Sequence, residues 1–398
     1  MSYELGGFAN CHSHVFHRAL RGRTHGGGGT FWTWREQMYA LAEVLDPDLL
    51  HDLARATYAE MALAGVTTVG EFHYLHHSPD GRAYDDPNAM GEAVIEAAKS
   101  AGIRIALLDT CYLSAGFGRE VEGVQRRYTD GDVAGWAERV DTLARKHPND
   151  PDVIIGAAVH SVRAVPAEQI GGVVEWAKRH DAPLHVHLSE QPAENAECLA
   201  VHGMTPTALL AEHGVWEAEA TAVHATHLTS ADISTLGENS AYACFCPTTE
   251  RDLADGVGPS DALREAGAVL TLGSDSNAVI DMFEEMRAVE MDERLVSGRR
   301  GTWQPDALVR AATTDGQRSL GFVADNDRVR MAYDSVRLAG ACPGPESAVF
   351  AAAAPDVREV VVGDRVVVSG GRHVERDDVP RDLEHAVQAC WQRVEETT

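Results

Sequence analysis

A (β/α)8 barrel of the TIM type, joined to a small β annex, is the fold class this sequence predicts. Three observations predict it. Eight short apolar, β-branched runs alternate with amphipathic stretches over the first two thirds of the chain. Several of those stretches stop at a glycine, as at Gly65 and Gly102, where a helix ends in the left-handed conformation. The polar residues gather at the C-terminal ends of the apolar runs, where the loops of such a barrel build a site. Alternation of this kind over this length implies a parallel sheet covered by helices.

Residues 7–14 read as the first strand, and the β-branched run 66–73 as the second. The runs 103–112, 153–162, 183–190, 221–226, 241–246 and 268–274 complete the eight. Between them 48–64, 88–101, 133–146 and 167–179 carry helical periodicity, and 281–295 reads as a helix after the eighth strand. Beyond Gly321 the texture changes. Residues 347–354 and 357–369 are rich in Val and Ala, with a Gly363-Asp364 turn, and read as annex strands. Residues 382–396 fit a closing helix. The domain reading is therefore a short lead over 1–9, a barrel over 10–325, an annex over 326–370 and a C-terminal helix over 371–398. Internal repeats are not evident. The glycine run from Gly26 to Gly29 reads as a mobile loop at the site rather than a phosphate cradle, because no Lys-Ser/Thr follows it.

Composition narrows the partners. A chain of 398 residues with 44% hydrophobic content buries a large core. Lys plus Arg number 34 against 61 Asp plus Glu, a formal charge of −27, so nucleic acid and anionic membrane are not expected partners. An anionic substrate would need local arginines. The seven cysteines are scattered, and the close pair Cys244-Phe245-Cys246 lacks zinc-finger spacing, so buried, reduced thiols are expected. The first residues show no charged segment followed by an apolar one, and no run approaches ~20 apolar residues, so a cytoplasmic protein is expected. A homodimer is expected only because it is the commonest assembly.

Residues i and i+2 of a strand share a face, so His12 and His14 project together from the end of the first run. His185 and His187 pose the same pattern on the fifth run. His187 lies three residues before Glu190, which lets that carboxylate curl back over the same point, whereas His185 reads as a packing residue. His224 closes the sixth run, with His227 in the loop beyond, and Asp275 follows the last run in Gly273-Ser274-Asp275-Ser276. Three imidazoles, one carboxylate and a separate glutamate are the donors of a hydrolytic metal site with its proton shuttle. A divalent cation on His12, His14, His187 and Asp275 would lower the pKa of a bound water toward ~7. Asp275 and His224 would take and orient its proton, and Glu190 would pass one to the departing nitrogen. Such ligands suit one Zn²⁺ first, with Fe²⁺ or Mn²⁺ as alternatives.

The order His-x-His, His-x-x-Glu, His, Asp over eight strands resembles the amidohydrolase superfamily in its deaminase branch. Longer stretches narrow the likeness: Phe31-Trp32-Thr33-Trp34-Arg35-Glu36, Glu71-Phe72-His73-Tyr74-Leu75-His76-His77, His160-Ser161-Val162-Arg163-Ala164-Val165 and Cys246-Pro247-Thr248-Thr249-Glu250. Together they resemble the formimidoylglutamate deiminases from about residue 7 to about 320. The resemblance implies hydrolysis of N-formimidoyl-L-glutamate to N-formyl-L-glutamate and ammonia, a step of histidine breakdown. It implies that Arg35 and Arg163 bind the two carboxylates of a small dicarboxylate amidine, with hydrogen bonds from Tyr74 and His160. Three departures stand out. His17 occupies the place of a family glutamine and is the expected substitute contact. Asn277 stands where a histidine is expected. The lead before His12 is short, which implies a reduced annex or residues outside this numbering. Two other readings stay open: an aminohydrolase of ring amidines such as purines or pterins, and a non-catalytic protein that keeps the metal cage to bind a metabolite.

Overall fold

The computed structural model describes residues 2–26, 31–323 and 325–397. The strands are β1 (Ser2–Gly6), β2 (Phe8–Ser13), β3 (Val66–His73), β4 (Arg104–Cys111), β5 (Val153–Val159), β6 (Leu184–Leu188) and β7 (Thr221–His224). They continue with β8 (Tyr242–Phe245), β9 (Val269–Leu272), β10 (Arg328–Ala332), β11 (Val357–Val362), β12 (Arg365–Ser369) and β13 (Arg372–His373). Strands β2 to β9 pair in chain order, every neighbour parallel, and form the eight-stranded sheet of a TIM-type barrel. Helices α1 (Phe31–Val44), α2 (Pro47–Leu63), α3 (Ala89–Ala101), α4 (Val133–Lys146), α5 (Ala167–His180) and α6 (Pro192–His202) follow its first five strands. Asp46 and Asp132 cap α2 and α4 by accepting backbone N–H groups, and Gly102 closes α3 at φ 76°.

The seam between the first and last barrel strands is laced by side chains as well as backbone. Ser274 and Asp275 both donate backbone N–H groups to the His12 carbonyl, at 3.1 and 2.9 Å, and His14 donates to the Asp275 carbonyl at 2.9 Å. The Asn10 amide accepts from the Ser274 N–H at 2.8 Å and donates to its hydroxyl at 2.7 Å. Gly273 is required where the strands touch, since a Cβ there would sit 2.8 Å from the His12 backbone. The segments that carry His12, His14 and Asp275 are thereby held in one register.

Several strands stop earlier than the apolar runs suggest. β6 ends before Ser189, which lies at φ 50°, and β7 ends at His224 itself, at φ 68°. Left-handed backbone breaks a parallel ladder, and apolar patterning does not report it. β5 ends at Val159, because residues 161–165 curl into a turn in which Ala164 and Val165 donate to the Ser161 carbonyl at 3.1 Å each.

The annex is an antiparallel sheet ordered β1-β10-β11-β12-β13. The lead is therefore a strand of the annex, with Ser2 to Gly6 paired to Ala332 to Arg328. Residues 347–354 are not a strand. Pro345–Phe350 is a helix with proline in its first turn, followed by a 3-10 turn at Ala354–Asp356. Proline pre-set at a helix start and an alanine-bearing run outweigh the apolar pattern. The annex extends to His373 through β13, and the C-terminal helix spans Val379–Thr397. The glycine loop at 27–29 and the side chains of Phe31 and Trp32 lie outside the described residues. No helix among the described residues is long and apolar enough to cross a membrane. Of the seven free cysteines six are buried and Cys342 is exposed.

Candidate active site

At the C-terminal mouth of the barrel, the end of β2 and the residue just beyond it present His12 and His14 to one side. The Nε2 atoms of both lie 3.4 Å from Asp275 Oδ1, and His12 Nε2 lies 3.1 Å from His187 Nε2. His224 Nε2 is 4.0 Å from Asp275 Oδ2. The orientation of two of these rings is set from behind. The Nδ1 of His14 donates to the Phe72 carbonyl at 2.9 Å, and that of His187 to the His160 carbonyl at 2.9 Å. A carbonyl only accepts, so both rings carry the proton on Nδ1 and aim the Nε2 lone pair inward. Ligand atoms of His12, His14 and His187 lie within 4.8 Å of one another, as do those of His12, His224 and Asp275. Burial pushes His12 down to about 3 and also lowers His14 and His187, so the three rings are neutral. Burial alone would raise Asp275, but its hydrogen bond to His12 and the nearby His14 and His224 outweigh that and hold it well below the usual carboxylate range. Inward lone pairs beside an ionised carboxylate fit a divalent cation, and back-side bonds of this kind are how proteins orient metal-binding histidines.

His224 and Asp275 both occupy left-handed backbone, at φ 68° and 43°. Strain of this sort concentrates where a side chain must be aimed. Burial lowers the His224 imidazole, but Glu190, the Glu250 carboxylate 3.4 Å from its Nδ1, and Asp275 together raise it well above its ordinary value. Burial raises Glu190, with His224 and Arg163 pulling against it.

These residues open onto a cavity whose walls enclose about 800 Å³ including its mouth. His14, His187, His224, Asp275 and Glu190 form one part of the wall, and His17, Arg35, Tyr74, His160 and Arg163 contribute to the rest. Arg163 donates from Nε to Glu194 at 2.7 Å. Arg35 on α1 donates from Nε and Nη2 to the Tyr39 hydroxyl, at 2.9 and 2.6 Å. Both guanidiniums reach the same neighbourhood: burial pushes the Tyr112 hydroxyl up to about 12, while Arg163 and Arg35 pull it back. Tyr74 meets His17 Nε2 at 3.1 Å, and His160 Nδ1 lies 3.3 Å from Ser161 Oγ.

Other histidines are turned elsewhere. His185 Nε2 donates to the Ser319 carbonyl at 3.2 Å, and His227 Nε2 donates to the Asp255 carbonyl at 2.8 Å. Asn277 does not line the cavity. Its amide donates to Ser13 Oγ and the His14 carbonyl, both at 3.1 Å, and accepts from Ser274 Oγ at 2.7 Å, so it ties the β2 end to the β9 end. Sequence reasoning assigned no role to Glu250 or Glu194, nor to the aromatic wall of Trp34, Tyr39, Tyr112 and Tyr128. Glu250 stood in a quoted motif, but its contact with His224 depends on how two loops meet. Glu194 is one of the acidic residues on a helix, with no local mark.

The amidohydrolase family matches residues 5–330. The chain is 36% identical over 390 residues to formimidoylglutamate deiminase of Pseudomonas aeruginosa, covering 93% of this chain and 85% of that protein. It is 27% identical to a 5-methylthioadenosine/S-adenosylhomocysteine deaminase of Halobacterium salinarum, covering 98% and 86%. Among solved structures, an amidohydrolase from Brucella melitensis superposes with a TM-score of 0.90 at 31% identity, over 98% of this chain and 90% of that one. Barrel, annex and family match agree: the chain belongs to the amidohydrolase family.

Proposed function

We propose that this protein is a metal-dependent deiminase that converts N-formimidoyl-L-glutamate and water to N-formyl-L-glutamate and ammonia. One observation carries the reading: two arginines, Arg35 and Arg163, line the same cavity as the histidine–aspartate cluster and Glu190. In a chain of charge −27, cations placed at such a mouth answer to an anionic substrate. The identity to the Pseudomonas deiminase supports it.

His12, His14, His187 and Asp275 would hold the cation, and an imidazole–carboxylate set suits Zn²⁺. Such an ion supplies Lewis acidity and makes water nucleophilic near neutral pH. The chain's own residues do the rest. Arg35 and Arg163 take the two carboxylates and so fix the amidine carbon over the cluster. Asp275, ionised by its histidine neighbours, takes the first proton of the attacking water at Oδ2, beside His224 Nε2. Glu190, whose carboxyl burial keeps protonated above its ordinary range, gives its proton to the imino nitrogen. As the tetrahedral adduct collapses, the proton held by Asp275 passes to the departing nitrogen, which leaves as NH₃, and Glu190 regains its proton from the adduct's hydroxyl, so that both carboxyls return to their starting states. His17 and Tyr74, paired at 3.1 Å, and His160 offer hydrogen bonds to the substrate backbone.

The test is ammonia release from N-formimidoyl-L-glutamate by zinc-loaded protein, with Glu190→Gln as control. Release that the substitution removes supports the assignment. No release, with one zinc bound per chain, overturns it. A second reading, hydrolysis of a ring amidine, draws on the aromatic wall and on the relation to a nucleoside deaminase. Assay of purine and pterin amines beside the linear substrate separates the two.

A further inference from the structure

The structure assigns Glu194 as a positioning residue that holds the Arg163 guanidinium and the backbone beneath Glu190 in one register. The inference rests on the roles proposed above for Arg163 and Glu190. Glu194 sits in the first turn of α6 and is 1% exposed. Its Oε2 accepts from Arg163 Nε at 2.7 Å, and its Oε1 accepts from the Ser189 N–H at 2.7 Å. Arg163 follows β5 and Ser189 follows β6, so one carboxylate bridges two adjacent strand ends.

Half of this is ordinary. A glutamate in a first helical turn commonly reaches back to a free N–H just outside the helix. Capping accounts for Oε1 and leaves Oε2 unexplained. That oxygen takes the Nε of Arg163 and spares the two terminal nitrogens of a side chain that lines the cavity. A guanidinium already fixed at Nε meets a carboxylate with less rotamer freedom left to lose. The other arm acts on the chain. Ser189 lies at φ 50°, a conformation disfavoured for a residue with a Cβ. Glu194 holds its N–H, and its carbonyl accepts from the His227 N–H at 3.0 Å. This clamp sets where the strand turns, and hence where the next residue, Glu190, projects.

The two arms come apart by substitution. Glu194→Gln keeps size and an oxygen for the Ser189 N–H, but turns an NH₂ toward the Arg163 Nε–H. Glu194→Ala removes both arms. With N-formimidoyl-L-glutamate, Glu194→Gln should raise KM about tenfold and leave kcat within about threefold, the size of one charge-assisted bond. Glu194→Ala should lower kcat about tenfold as well, because the backbone under Glu190 is released. In an Arg163→Gln background, Glu194→Gln should change KM by less than about twofold, the non-additivity of residues acting through each other. A purely capping glutamate would lower Tm without this KM-against-kcat split. A KM within about twofold of wild type in Glu194→Gln, or additive effects in the double variant, overturns the assignment. One readout needs no turnover: the NMR resonance of the Arg163 Nε–H, identified by its loss in Arg163→Gln. It should exchange slowly in the wild type and fast in Glu194→Gln. Fast exchange in the wild type refutes the brace. A slow one that Glu194→Gln abolishes sustains it even if the wild type releases no ammonia, in which case only the substrate assignment falls.

Discussion

Nε2 of His12 lies 3.1 Å from Nε2 of His187. The His187 ring donates its Nδ1–H to the His160 carbonyl, so a lone pair occupies the facing nitrogen. His12 can answer it with an Nε2–H, or both can answer a cation. Its own Nδ1 is buried and has no partner among the described residues, so neither tautomer satisfies the ring. A cation at the meeting point would replace one contact by bonds to His12, His14, His187 and Asp275 together.

Metal removal should therefore cost stability as well as activity. At free ion about 100-fold above Kd, binding adds about 2.7 kcal/mol to the folded state. Chelation at neutral pH should abolish ammonia release and lower Tm by several degrees, and one equivalent of Zn²⁺ per chain should restore both. Calorimetry with elemental analysis checks it. A metal-free protein that melts where the loaded one does would rule the cluster out as a cation site.

Arg163 separates the two substrate classes. Arg163→Gln removes a charge that a dicarboxylate uses and a neutral ring does not. A charge-assisted bond is worth about 1.5–3 kcal/mol, so kcat/KM on the linear dicarboxylate should fall roughly 10- to 100-fold. Steady-state kinetics would show it, with activity on a ring amidine, where present, nearly unchanged. Equal losses on both would mean that Arg163 does not read a carboxylate.

What was legible in the sequence was whatever local pattern encodes. The β/α alternation and the i, i+2 spacing of His12 and His14 are local, and the structure brings these residues together with His187, His224 and Asp275. Strand ends were not legible, because the left-handed turns at Ser189 and His224 are properties of backbone that apolar runs do not carry. Nor were the groups acting across strand ends. Glu194 meets Arg163 from 31 residues away, and Asn277 reaches the His14 carbonyl from 263. Pro345 shows the opposite failure: a local signal for a helix start was present and was outweighed in the reading by the Val and Ala content.

Asn277 is predicted to be a fastener rather than a substrate contact. Asn277→Ala would leave the buried Ser274 O–H without its acceptor and would take one of two donors from the His14 carbonyl, which keeps the His17 N–H at 3.0 Å, a loss of about 1–3 kcal/mol in all. Urea unfolding should show the loss, with kcat reduced because the same seam carries His12, His14 and Asp275. KM should move little. A large KM change at wild-type stability would instead place Asn277 at the substrate.

Glu71 should make stability fall as pH rises through neutrality. It is 1% exposed, and its Oε1 accepts from the Val15 N–H at 2.6 Å, just after His14. Burial pushes its carboxyl up to about 8 from an ordinary 4.5, with the Val15 bond pulling against the rise. Between those values the folded chain keeps a proton that the unfolded chain has released. Stability changes with pH as the protons bound unfolded minus those bound folded, which here is negative. The contribution is therefore intact below pH 4.5, declines across the window and is gone above about 8. Glu71→Gln stays neutral, keeps an acceptor for Val15 and should be flatter in the same window. Urea unfolding of both proteins at about pH 5, 6.5 and 8 measures it, and the gap in favour of the glutamine should widen with pH. Parallel curves would show that Glu71 is ionised in the folded protein, and that a compensating positive group lies against it.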